Sequence, residues 1–260
     1  MTAIATVPEA LASPVVYRPA PDEHPVADRA QALSYLGYSG HKMREKLARR
    51  IENMIAQTET ELVPHGIRRA FAVDATGLDA QGNPCIRLVG STVQLTGTDI
   101  FQHLKDADWC MLMAITLGAE SERRMTALES QRMGDAVIFD AACSAYVEAA
   151  CDVMSEQVEQ QAQTLGYGTN WRFSAGIGDC PIDSQPAILA ALDAGRILGL
   201  TATDSCLLLP SKSITGMIGI FSDPQASTTK GPSCRLCHLL GNCVFRQRGV
   251  TCYGDPVTDD

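Results

Sequence analysis

Hydrophobic residues recur at three- and four-residue steps over residues 41–61, which places them on one face of a predicted helix. A second, longer helix is predicted for residues 134–164. Its first half is small or apolar nearly all round and its second half is polar, so we expect the first half to be buried and the second to reach solvent. The apolar positions of the first helix are Met43, Leu47, Ile51, Met54 and Ile55.

Strand-like segments, rich in aliphatic and β-branched residues, lie between and after these helices. A short helix is expected to begin at Thr98 and another after Asp183 or Ser184, because these side chains suit a helix N-cap. Strands and helices follow each other in no regular alternation, which is compatible with an α+β fold. The predicted strands cover residues 71–73, 86–95, 109–117, 205–209 and 213–221.

Composition and charge narrow the class of protein. The chain has 260 residues, 45% of them hydrophobic, and a formal net charge of -9. Nucleic-acid binding requires a basic face, so this charge argues against a nucleic-acid partner. No apolar stretch is long enough to cross a membrane, and no Lys or Arg precedes Arg18 as a secretory signal would require. We expect a cytoplasmic protein.

The two ends of the chain differ from its middle. Residues 1–30 hold five prolines that prevent a long helix, so an extended arm is predicted there. Residues 222–260 contain too little apolar sequence for a core of their own, so something else must order them. The five prolines are Pro8, Pro14, Pro19, Pro21 and Pro25.

Four of the ten cysteines lie close together in this C-terminal segment, with the spacing C-x2-C-x5-C-x8-C. A C-x2-C pair lets two thiolates face one metal ion, and two more complete a tetrahedral set. The single C-x2-C pair favours an iron–sulfur cluster, and zinc is kept as the alternative metal. His238 could replace one of the cysteine ligands. Metal binding would then supply the folding free energy of the segment. The predicted ligands are Cys234, Cys237, Cys243 and Cys252.

The other six cysteines are scattered through apolar segments, and we interpret them as small core residues in a reducing compartment. A basic run in the first predicted helix has Glu45 as its one acidic residue. We interpret this run as a solvated helix face in preference to a partner-binding patch. Its cations are Lys42, Arg44, Lys46, Arg49 and Arg50.

Two internal segments, WRFSAGIGDCP at 171–181 and DSCLLLPSKSITG at 204–216, resemble the signature segments of the reactivation domain of cobalamin-dependent methionine synthase. Two upstream segments, YLGYSGHKM and MAITLGAE, resemble its smaller free-standing relatives near corrinoid methyltransferases, which often end in clustered cysteines. The resemblance covers about residues 31–221, which we take as the main domain.

The resemblance implies an α+β fold with a curved, largely antiparallel sheet flanked by helices, followed here by a small metal-bound segment. It also implies S-adenosylmethionine binding and docking over the cobalamin of a partner protein. In that family, one-electron reduction of cob(II)alamin is trapped by methyl transfer from S-adenosylmethionine. The implied partners are therefore a corrinoid protein or cobalamin-dependent methyltransferase and an electron donor.

Individual positions carry over from the family pattern. Arg172 matches the family's arginine, whose fork suits the methionine carboxylate of the ligand. Glu148 is the candidate for the family's helix carboxylate, and its apolar surroundings independently require a partner or a role. Ile177 replaces a family tyrosine, and Lys212 is expected to be a surface lysine. The loop residues that match are Ser174, Ala175 and Gly176.

The leading hypothesis is a reactivation or accessory factor for a corrinoid-dependent methyltransferase in methionine biosynthesis, with the cysteine cluster relaying one electron. Whether the chain is itself an enzyme is left open. One alternative is a non-catalytic corrinoid-protein docking module with a structural zinc site. Another is one subunit of a split methionine synthase, because the chain has no cobalamin-binding Asp-x-His-x-x-Gly segment.

Overall fold

A computed structural model describes residues 4–20, 23–38, 43–226, 241–247 and 249. Its main sheet has the strand order β4-β3-β2-β5-β9-β6, with β1 also paired to β2, and every pairing is antiparallel. A small second sheet pairs β7 with β8. The strands are β1 (Val15–Tyr17), β2 (His65–Leu78), β3 (Pro84–Leu88), β4 (Gln94–Leu95), β5 (Trp109–Thr116), β6 (Gly168–Thr169), β7 (Thr201–Ala202), β8 (Leu208–Leu209) and β9 (Ser213–Phe221).

Helices cover both faces of this sheet. On one face α6 packs with α2, α3 and α5 over a core that includes Phe139 and Tyr146. On the other face α4, α7 and α8 cover a second core that includes Leu112 and Met217. The helices are α1 (Glu9–Ala12), α2 (Arg29–Tyr35), α3 (Glu45–Glu61), α4 (Thr98–Leu104), α5 (Gly118–Gln131), α6 (Met133–Thr164), α7 (Gln185–Ala191), α8 (Ala194–Leu198) and α9 (Val244–Gln247).

The predicted α+β fold, with an antiparallel sheet flanked by helices, is confirmed. The continuous apolar run at 109–117 becomes β5, whose eight residues are all buried because the sheet is covered on both sides. The second half of α6 differs from the prediction. Val158 and Ala162 are fully buried and continue, at four-residue spacing, the buried position of Met154, so this polar-looking half keeps one apolar stripe on the core.

The helix predicted after Ser184 is divided into two short helices. It is interrupted at Asp193, which adopts a left-handed conformation with φ 53° and separates α7 from α8. A short polar side chain tolerates this conformation better than most residues do.

The N-terminal residues contact the sheet. β1 pairs with β2, Leu11 of α1 is buried, and the Trp109 indole donates a hydrogen bond to the Thr6 carbonyl at 3.0 Å. The proposed boundaries at residues 30 and 221 remain predictions. Within the described residues, no helix is long and apolar enough to cross a membrane.

Candidate functional site

The two signature segments lie side by side in the structure. Phe173 and Met217 exchange two backbone hydrogen bonds, of 2.8 and 2.9 Å, so residues 171–173 run along β9. The Asn170 amide strengthens this contact, because its oxygen accepts from the Gly219 N–H at 2.7 Å. Residues nearly fifty positions apart therefore form one surface beside α6.

Arg172 occupies the centre of that surface, and its side chain is 17% exposed. Its Nη2 donates to Glu148 Oε2 and to Asp152 Oδ1, both at 2.9 Å. Glu148 and Asp152 are one helical turn apart on α6, which puts them on the same face. Arg172 and Glu148, each predicted as a ligand-binding residue, lie in direct contact here, and Asp152 is an additional member of the cluster.

Gly216 makes room for the arginine. A Cβ atom at this position would lie 3.0 Å from both Cγ and Cδ of Arg172 and 2.9 Å from Cγ of Met113. These distances are shorter than van der Waals contact between carbons. The glycine of the second segment is therefore needed for the arginine of the first to cross β9.

The formal charges of the cluster, one guanidinium and two carboxylates, sum to one net negative charge. Burial disfavours the Arg172 cation, but the Glu148 and Asp152 carboxylates favour it, and the balance raises the pKa of the guanidinium. Both hydrogen bonds to these carboxylates use Nη2. Among the described residues Nη1 and Nε bond to no protein acceptor, so their N–H groups are available to the oxygens of a ligand carboxylate.

The loop after Arg172 is a compact turn with an open outer surface. The Gly176 N–H donates to the Cys180 carbonyl at 2.9 Å, and the Ile177 N–H to the Ser174 carbonyl at 3.1 Å. Gly176 has φ 87°, and a Cβ there would meet no atom within 4 Å, so its backbone is accessible. Ser174 and Ala175 are half-buried.

Asp179 anchors this loop to α4. Its carboxylate accepts from the backbone N–H groups of Thr98 at 2.7 Å and Asp99 at 2.9 Å. These groups lack intrahelical partners at a helix N-terminus, so a side chain 80 residues distant performs the capping. Thr98 is the first residue of α4, and the preceding residue, Gly97, occupies the cap position.

Lys212 corrects a prediction, because it is not a solvated surface lysine. Its side chain is 14% exposed, with Nζ 2.7 Å from Asp140 Oδ1 and 2.9 Å from Ser144 Oγ. Asp140, Ser144, Glu148 and Asp152 follow at four-residue steps on α6. This polar stripe faces both cations of the two signature segments.

The opposite side of the 171–173 segment is aromatic. The His103 ring lies 4.7 Å from the Trp171 ring and 5.3 Å from the Phe173 ring, measured between centroids. Burial lowers the pKa of His103 to about 4. Its Nε2 is buried without a partner among the described residues, so the imidazole is held neutral at physiological pH.

This buried imidazole predicts an acid-induced loss of stability. The unfolded chain binds a proton near pH 6.5 and the folded chain only near pH 4, so stability falls as pH drops through that window, by about 3 kcal/mol at most. His103→Phe should lose about 1 kcal/mol at neutral pH and show a smaller acid loss. Urea unfolding at both ends of the window measures this. An identical acid loss in both proteins would contradict the assignment to His103.

The predicted metal ligands fall largely outside the described residues. Cys234, Cys237 and Cys252 lie there, as does His238, whereas Cys243 is described and half-buried. Among the described residues no group of His, Cys, Asp and Glu could hold a metal ion. The metal site therefore remains a prediction from spacing.

Five of the six scattered cysteines are buried, as expected, but Cys206 is only half-buried. Burial raises the pKa of four of these thiols to about 12, so they stay protonated and unreactive. These four are Cys110, Cys143, Cys151 and Cys180.

Comparison with known proteins identifies a similar fold among solved structures. No protein-family model matches the sequence, and no curated protein matches it. Among solved structures, the crystal structure of the MetH reactivation domain bound to AdoHcy aligns with a TM-score of 0.61 and 16% identity. The alignment covers 85% of this chain and 81% of that one.

The chain has the fold of the MetH reactivation domain. The fold expected from the resemblance is thereby confirmed, while 16% identity leaves ligand and activity to be argued from the residues. Asp152 was missed at the sequence level, although its four-residue spacing from Glu148 is a readable signal. The capping role of Asp179 had no local signal, because its partners are distant in sequence.

Proposed function

We propose that this chain binds S-adenosylmethionine and serves as a reactivation factor for a corrinoid-dependent methyltransferase. The carrying observation is the cluster of Arg172, Glu148 and Asp152, which lies where the two signature segments meet. The structural neighbour was crystallised with AdoHcy, the demethylated form of the same ligand. Its likeness in fold supports the proposal.

The charges of the cluster complement those of the ligand. S-adenosylmethionine carries a carboxylate, an ammonium and a sulfonium, and so one net positive charge. The free N–H groups of Arg172 suit the carboxylate, and Glu148 with Asp152 suits the two cationic groups. A cluster with one net negative charge in a partly buried setting favours this ligand over one without the sulfonium.

The loop would supply backbone contacts and little aromatic attraction. Gly176 has an accessible backbone, and Ile177, where the family has tyrosine, is 46% exposed. The nearby rings of Trp171 and Phe173 pack on His103, on the other side of the segment. Recognition of the sulfonium would therefore depend on the carboxylates of α6 in place of a cation–π contact.

The second half of the proposal concerns electrons. Reduction of cob(II)alamin needs one electron, and a thiolate-ligated iron–sulfur cluster supplies single electrons when it is bound. The C-terminal cysteines would hold such a cluster, and a corrinoid protein would be the partner. The spacing of the four C-terminal cysteines in the sequence supports this proposed electron transfer.

Ligand titration calorimetry on the full chain tests the first half. We expect S-adenosylmethionine to bind about tenfold more tightly than AdoHcy at low salt, because AdoHcy lacks the charge that the α6 carboxylates favour. Glu148→Gln should remove most of this preference. Glu156→Gln, an exposed position two turns further along the same helix, should keep it. Absence of binding, or equal affinity for both ligands, would contradict the proposed recognition.

A further inference from the structure

A basic groove lies between helices that cover one face of the sheet, apart from the proposed ligand site. It has a volume of about 690 Å³ and is walled by α3, α5 and the beginning of α6. Asp135 is the one carboxylate among the residues that line it. The lining cations are Lys46, Arg49, Arg50, Arg124 and Arg132.

Nearby carboxylates do not neutralise these cations. Arg50 Nε lies 2.7 Å and Arg132 Nε 3.4 Å from Asp135, so two guanidinium groups share one carboxylate. Arg49 pairs with Glu45, but both side chains are more than 70% exposed, and such pairs are weak. Lys46 pairs with no carboxylate in the described part of the chain. The groove keeps excess positive charge on a chain whose net charge is -9.

Arg124 is held in place at one wall of the groove. Its side chain is 19% exposed and forms an ion pair with Glu61. Its Nη2 donates to Gln57 Oε1 at 3.1 Å, and its guanidinium carbon lies 4.8 Å from the ring centre of Phe139. A guanidinium fixed in this way loses little freedom when an anion binds.

We infer that this groove binds a small ligand with two or more linked phosphate groups. Guanidinium groups bind phosphate oxygens through bidentate hydrogen bonds. Several cations around one concave surface match the charges of linked phosphates better than that of a single carboxylate. The volume fits a small-molecule site. A stable interface with a protein partner would need to bury about 800 Å² of accessible surface on this chain. The inference is independent of S-adenosylmethionine binding.

The sequence alone could not indicate this groove. The basic run on α3 is visible in the sequence, and alone it has the pattern of a solvated helix face. Arg124 and Arg132 come from α5 and the turn that follows it, about 80 residues later. Packing of α3 and α5 against α6 is what turns separate charges into a concave set.

Calorimetric titration of the full chain with tripolyphosphate, ATP and adenosine tests the inference. We expect tripolyphosphate and ATP to bind and adenosine not to bind. The double variant Lys46→Gln with Arg49→Gln should weaken binding about tenfold or more, as loss of charged contacts predicts. The matched control is the double variant Arg123→Gln with Arg196→Gln. Both arginines lie outside the groove and are more than 70% exposed, and their replacement removes two positive charges, as the first double variant does. This control should stay within about twofold of the wild type.

The ligand arms separate the two sources of linked phosphates. ATP binding more tightly than tripolyphosphate would identify a nucleoside polyphosphate site, and equal affinities would identify a site for the phosphates alone. Both outcomes support the inference. It is overturned if neither ligand binds, if the two double variants lose affinity equally, or if a poly-glutamate peptide binds more tightly than tripolyphosphate.

Discussion

Replacing Arg172 with methionine is expected to lower the affinity for S-adenosylmethionine about a hundredfold, close to 3 kcal/mol. Methionine keeps an apolar stem over Gly216 but removes both bonds of 2.9 Å to Glu148 and Asp152. The ligand carboxylate then loses its cation. The two carboxylates, one turn apart on α6, are also left to repel each other.

The same variant separates binding from folding. Glu148 and Asp152 keep 32% and 65% of their side chains exposed, so water solvates them when the arginine is lost. We therefore expect the free energy of unfolding to fall by no more than about 1 kcal/mol. Calorimetry with S-adenosylmethionine and urea unfolding measure the two effects. Arg87→Met, at an exposed position of β3, is a control that should bind normally.

Gly216→Ala provides a second test of the same geometry without changing any charge. Its Cβ would press on the Arg172 stem at 3.0 Å and displace the guanidinium. An affinity between those of the wild type and Arg172→Met is the expected result. Wild-type affinity in both variants would remove Arg172 from the ligand site and with it the basis for S-adenosylmethionine recognition.

The elements predicted with success share a strong local pattern. The 134–164 helix and the 109–117 strand have long apolar runs whose period or length permits one interpretation, and both are present as α6 and β5. Arg172 and Glu148 were each predicted as ligand-binding residues through the resemblance, whereas their ion pair with each other was not predicted. Glu148 drew attention as a charge in an apolar part of the helix, where a carboxylate needs a partner, although 32% of its side chain is exposed.

The elements that were missed depend on contacts between distant residues. β1 has three residues and exists because it pairs with β2, while β6 has two and pairs with β9. Strands this short carry no readable alternation. Lys212 was expected at the surface, yet it contacts Asp140 and Ser144 of α6 and is largely buried. Burial of a lysine is decided by the opposing helix, which its own segment does not reveal.

Replacing Cys234 and Cys237 together with serine is expected to remove the bound metal and to abolish reduction of a corrinoid partner. The C-x2-C pair would supply two of four ligands, and a site with two thiolates left cannot hold an iron–sulfur cluster. Anaerobic purification, metal and sulfide analysis and an absorption spectrum measure the loss. Cys206→Ser is the matched control, because Cys206 is a half-buried thiol outside the cluster.

The outcome of that experiment decides whether the cysteine-containing segment at residues 222–260 transfers electrons or has a structural role. S-adenosylmethionine binding should be unchanged in the double variant, because Arg172 and its carboxylates belong to α6 and the 171–173 segment. Iron and sulfide in the wild type, with corrinoid reduction lost in the variant, would support the relay. Zinc in the wild type would contradict it, since zinc carries no electron, and would favour a docking module that depends on an external reductant.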